Sequence, residues 1–154
     1  MKKLRFILLP AIALAVGGLS AYLSRAGMES VYPNLEKSAL SPPGIVFPIV
    51  WSILYVLMGI SLALVVNKGG KGVIPAVLIW SVQLAVNFSW SLFFFRWNEY
   101  FYALICLAVL WILIVAMIVL FHRVSKGAAL LQIPYLLWVS FAAYLNYTIW
   151  MLNP

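Results

Sequence analysis

Trp80, Gln83, Asn87, Trp90 and Phe94 recur at intervals of three and four residues, the spacing that gathers side chains on one face of a helix. Carboxamides set among flat rings offer hydrogen bonds at fixed points against a planar partner. Two further sets repeat the pattern. Leu131, Tyr135, Trp138, Ala142 and Leu145 share a second face with Asn146 beside it, and Pro48, Trp51 and Tyr55 share a third. Ala142 permits close approach by a ligand or a helix, and Pro134 can bend the chain just before this face. Together these faces suit a planar apolar ligand held by a few directional groups. The competing reading is helix–helix hydrogen bonding for Gln83 and Asn87, and a place at the membrane interface for Tyr135.

Other chemistries lack their residues. His122 stands beside Arg123 without a set of metal ligands, and no Asp or Glu falls within an apolar run, so ordinary acid–base catalysis is unsupported. No metal site and no permanently ligated haem is expected. Cys106 is the sole cysteine and lies in an apolar run, which excludes an intrachain disulfide and reads as a small buried side chain. The formal charge of +7 is spread beside the apolar runs rather than gathered in a patch, which points to membrane topology and not to nucleic acid.

The elements that must position these faces are membrane spans. Of the 154 residues, 66% are hydrophobic and 8% charged, which excludes an ordinary soluble domain. Apolar runs at residues 6–26, 44–66, 74–95, 100–122 and 129–152 are each long enough to cross about 30 Å of hydrocarbon as a helix. They are too continuous for the alternation of a membrane barrel. The expected fold is an all-α integral membrane protein, a five-transmembrane-helix bundle forming one domain over residues 1–154. Lys2, Lys3 and Arg5 before the first run resemble the start of a signal peptide, but the run is long and no small-x-small site closes it, so a retained helix is expected.

Local signals set the boundaries. Ser41 is placed to cap the second helix, with Pro42 and Pro43 in its first turn. Asn67, Gly69 and Gly70 end it, and the short links at Arg96–Glu99 and Arg123–Gly127 make successive helices antiparallel neighbours. The one long connection, residues 27–43, is a candidate cover over the helix ends or a plain linker. Lys2, Lys3, Arg5, Lys68, Lys71, Arg123 and Lys126 fall on one side, while the other receives Arg25, Lys37 and Arg96 with Glu29, Glu36 and Glu99. This asymmetry predicts a cytoplasmic amino terminus and an outward carboxyl terminus in a bacterial cell membrane, with the long connection outside. Trp51 and Asn87 then lie about 10 and 12 Å inside the outer boundary, which predicts a pocket in the outer half beneath residues 27–43.

The remaining aromatic residues read more plainly. Trp97, Tyr100, Tyr102, Tyr147 and Trp150 read as interfacial anchors, and Trp111 as packing or lipid contact. Gly17, Gly18 and Ala21, and separately Gly72 and Ala76, form small surfaces for helix packing or for a homodimer through the first and third spans.

Three ordered segments carry a more specific signal. Pro42-Pro43-Gly44-Ile45-Val46-Phe47-Pro48-Ile49-Val50-Trp51 followed by Leu54-Tyr55, then Trp80 to Phe94, then Pro134 to Asn146, resemble the signatures of the tryptophan-rich sensory protein and mitochondrial translocator protein family. The resemblance runs across all five helices and the chain length. It implies a membrane receptor or sensor, usually dimeric, that binds porphyrin such as protoporphyrin IX, together with the drug-like ligands of translocator proteins, and is linked to tetrapyrrole and stress regulation. It also implies that Trp51, Asn87, Trp138 and Ala142 are the leading pocket residues, that Tyr32 and Pro42 help to close the pocket, and that Gln83 and Ser91 are neighbours. Porphyrin would then be ligand or substrate. An alternative implied activity is light- and oxygen-dependent porphyrin degradation, with Trp51 and Trp138 confining the excited macrocycle as its catalytic pair. Transport of porphyrin or sterol is a further alternative. Cholesterol has weak support, because no Lys or Arg follows Tyr147 in Thr148-Ile149-Trp150-Met151-Leu152-Asn153-Pro154.

Overall fold

In lipid a backbone amide finds no water, so an apolar run must satisfy its own polar groups, and each of the five runs does so as a helix. The computed structural model describes residues 1–154 and is all-α. The helices are α1 (Lys2–Ser30), α2 (Val46–Lys68), α3 (Val73–Ser91), α4 (Tyr100–His122), the short α5 (Lys126–Leu131) and α6 (Ile133–Leu152). A 3-10 turn at Tyr32–Asn34 follows α1, and a π-helical turn at Leu92–Arg96 extends α3. Counting these extensions, five helical segments are long and apolar enough to cross a membrane, the last comprising α5 and α6 together.

The helices close into a ring. α1 packs against α2 and α3, α3 against α4, and α4 against α6, while α5 joins α2 to α4. α1 and α2 cross backbone against backbone: a Cβ on Gly59 would lie 2.1 Å from the backbone nitrogen of Pro10. Gly17 makes room in the same way for the ring of Tyr55, so part of the small surface on α1 serves packing within the bundle. Gly18 faces open space.

Three boundaries differ from the sequence expectation. α1 runs to Ser30, so the long connection loses its first residues to helix. Ser41 does not cap α2, which begins at Val46 with no side-chain cap; the Ser41 hydroxyl is buried without a partner, and Pro42 and Pro43 precede the helix. The residue before a proline is driven to extended backbone, which keeps Ser41 and Pro42 out of a helical turn. The fifth span is broken at Gln132, two residues before Pro134, where the missing amide cannot bond back to the preceding turn.

The π-helical turn places Phe94 and Phe95 side by side, with ring centroids 4.7 Å apart. Its end is marked by Asn98 at φ 55°, a left-handed conformation that asparagine tolerates better than most residues. Gly27 of α1 lies against the carbonyl of Phe95, where no larger side chain fits, and this contact brings α1 over the widened turn.

Candidate functional site

The faces predicted on α2, α3 and α6 meet in the half of the bundle next to residues 31–45. Trp51 is the meeting point. Its ring lies 5.8 Å from Tyr55, 5.9 Å from Trp90, 6.2 Å from Tyr135 and 6.4 Å from Trp138, centroid to centroid, the last at an interplanar angle of 88°. Edge-to-face and offset contacts of this kind fix ring orientations as well as burying area.

Two cavities adjoin this cluster. The larger, about 290 Å³, lies between α1, α2 and α3 and is lined by Gly17, Ser20, Met28, Trp51, Asn87 and Ser91 among others. The smaller, about 20 Å³, lies on the α6 side and is lined by Trp138, Ala142, Leu145 and Asn146 with Trp51. Tyr32, Phe47, Trp51, Trp90 and Phe95 line both, so the two spaces share an aromatic wall.

Of the eight candidate residues, Trp51 and Tyr32 border both cavities. Asn87 and Ser91 border the larger one, and Trp138 and Ala142 the smaller. Trp51, Asn87 and Trp138 therefore do not share one open cavity; Trp51 stands between the other two. Gln83 is fully buried and Pro42 half-buried, and neither borders a cavity. Ser91 pairs across to α1, its hydroxyl 3.1 Å from that of Ser24.

The polar groups behind the cavities form two sets. Asn146 accepts a bond from Trp90 Nε1 at 3.1 Å and donates to the Tyr100 carbonyl at 2.9 Å, holding Trp90 in place on the cavity wall. The other set joins α2, α3 and α6. Tyr55 Oη donates to Asn87 Oδ1 at 3.0 Å, Asn87 Nδ2 to Tyr135 Oη at 2.7 Å, and Tyr135 Oη to Gln83 Oε1 at 2.7 Å. Gln83 Nε2 reaches Met58 Sδ at 3.8 Å. Tyr135, which the sequence allowed either on the face with Trp138 and Ala142 or at the membrane interface, is 1% exposed. The available signal was its register: it lies one turn from Trp138 on the face that also holds Ala142.

The loop above the cavities is tied down at several points. Lys37 Nζ donates to the carbonyls of Tyr32 and Leu35 at 2.9 and 3.0 Å and sits 4.8 Å from the centre of the Tyr32 ring. Asn153, past the end of α6, accepts from the Glu36 amide at 3.1 Å and donates to its carbonyl at 2.9 Å. Ser38 and Tyr144 pair at 3.1 Å.

Residues 6–151 match the model of the TspO/MBR family. The chain belongs to that family. It is 42% identical over 145 residues to the tryptophan-rich protein TspO of Chlorobaculum tepidum, spanning 93% of this chain and 92% of that protein. It is 34% identical to protein CrtK of Rhodobacter capsulatus over 93% of this chain and 89% of that one. The similarity extends to the human translocator protein, 35% identical over 96% of this chain and 88% of the human protein. In this member of the TspO/MBR family the aromatic cluster at Trp51 borders both cavities, and the buried amide of Asn87 borders the larger one.

Proposed function

We propose that the protein is a membrane receptor or sensor that takes porphyrin, protoporphyrin IX in the first instance, between Trp51 and Trp138 beneath the loop at residues 31–45. The observation that carries this reading is the aromatic partition: two cavities share Tyr32, Phe47, Trp51, Trp90 and Phe95 in their walls. Sites for drug-sized ligands run from about 300 to 1,000 Å³, so the larger cavity by itself is at the lower limit and a macrocycle requires the partition to open. Rotation of the Trp51 and Phe47 rings would join the spaces and expose an aromatic face on each side of a planar guest. Family membership supports a tetrapyrrole as that guest and a role in tetrapyrrole and stress regulation. The same support extends to a homodimer and to a cytoplasmic amino terminus, which the charge asymmetry favours.

The test is titration of purified protein with protoporphyrin IX in darkness, followed by illumination in oxygen with absorbance and products recorded. The receptor reading expects saturable dark binding that Trp51→Ala and Trp138→Ala each weaken, with the fold retained. Binding unchanged in both variants contradicts it. Light-dependent loss of porphyrin that needs both tryptophans would assign turnover in addition.

A further inference from the structure

The hydrogen-bond chain behind the larger cavity has a direction, and a sulfur atom sets it. A thioether carries lone pairs and no proton, so Met58 Sδ can only accept, and Gln83 gains a bond there by turning Nε2 toward it. Gln83 Oε1 then faces Tyr135, whose hydroxyl donates its single proton there. The Tyr135 oxygen is left to accept, which requires Asn87 to present Nδ2 and not Oδ1. Asn87 Oδ1 accordingly faces Tyr55 and receives its hydroxyl proton. Reversing Asn87 would set two oxygens against each other at Tyr135 with no proton between them. With Gln83 so placed the order follows from the partners, and the N–H···S contact to Met58 is what distinguishes it from the reversed chain.

An Asn amide nitrogen has two hydrogens. Tyr135 takes one, and the other is not used in the network, while Asn87 lines the larger cavity. The bond that Tyr55 gives to Oδ1 polarises the amide and makes its remaining N–H a stronger donor. We infer that Tyr135 is a positioning residue, which acts through Asn87 to fix one N–H donor toward the larger cavity, so that the site selects planar apolar ligands bearing a hydrogen-bond acceptor at the edge that meets Asn87. This rests on the cavity reading given above and adds to it the polarity of the guest.

A purely structural Tyr135 would join α6 to α3 and act independently of ligand contact. A double-mutant cycle separates the two roles. Dissociation constants for protoporphyrin IX are measured in darkness, on the full chain in lipid nanodiscs, for the wild type, Tyr135→Phe, Asn87→Ala and the double variant, with thermal unfolding recorded for each. Loss of one directed hydrogen bond corresponds to a weakening of about tenfold for Tyr135→Phe and for Asn87→Ala. The double variant is expected to bind no more weakly than Asn87→Ala alone. Multiplied losses, or wild-type affinity in Tyr135→Phe, would overturn the assignment. If Tyr135→Phe does not fold, Met58→Leu removes the group that sets the direction and keeps the volume. Its weakening should vanish in the Asn87→Ala background, and a loss that persists there counts against the proposal. No saturable binding by the wild type would remove the cavity reading, and this proposal with it, whereas normal wild-type binding with multiplied losses removes only the role of Tyr135.

Discussion

Asn146 and Gln132 lie on the same span, both almost fully buried, and the structure gives them opposite energetic signs. Asn146 bonds to Trp90 of α3 and to the Tyr100 carbonyl of α4, so Asn146→Leu leaves a buried indole N–H and a carbonyl unpaired. That should cost about 1–3 kcal/mol, read as a lower unfolding temperature in detergent together with a changed tryptophan emission. Both amide atoms of Gln132 are buried without a protein partner. Gln132→Leu removes two unsatisfied groups and should raise the unfolding temperature; a fall would show that a buried water or lipid group bonds this amide. The sequence exposed such residues as polar exceptions in apolar runs, which was enough to send Asn87, Gln83 and Asn146 inward. It left Tyr135 open between that interior face and the interface, because a tyrosine near the start of a span has the same composition whether it anchors at the interface or turns inside. Only the packing of α2, α3 and α6 together decides between them.

Among the elements, the length and continuity of the apolar runs made the five spans legible, and the two-residue approach of Pro134 explains why the last one breaks at Gln132. The π-helical turn at Leu92–Arg96 was not legible, since Leu-Phe-Phe-Phe-Arg satisfies an ordinary helix equally well. Its widened backbone depends on α1, where Gly27 admits the Phe95 carbonyl. Ser41 misled because a capping residue before prolines is a sound local signal, but the loop is ordered by long-range contacts that outweigh it. The α1–α2 crossing at Gly59 and Pro10 is a backbone-to-backbone contact with no flexible side chain to yield. Gly59→Ala should therefore separate the helices and destabilise the bundle by roughly 1–3 kcal/mol, whereas Gly18→Ala, which meets open space, should be near neutral. Equal unfolding temperatures for the two variants would contradict the crossing.

For the whole molecule, the loop at residues 31–45 and the end of α6 act as one assembly over the aromatic cluster, joined by the paired bonds between Asn153 and Glu36. Asn153→Ala should loosen this cover while leaving the cavity walls in place. Association and dissociation of protoporphyrin should then both accelerate, followed by stopped-flow quenching of tryptophan emission, with a smaller change in affinity; unchanged rates would mean that the guest does not pass beneath the loop. The central claim is that a tetrapyrrole occupies the space between Trp51 and Trp138 once the partition opens. The most direct test is an experimental structure of the protein with protoporphyrin IX bound in darkness. The account predicts the macrocycle between those two indoles, under Tyr32 and with an acceptor edge toward Asn87. Density for the macrocycle on the lipid-facing surface, with the two cavities still divided by Trp51, would contradict it.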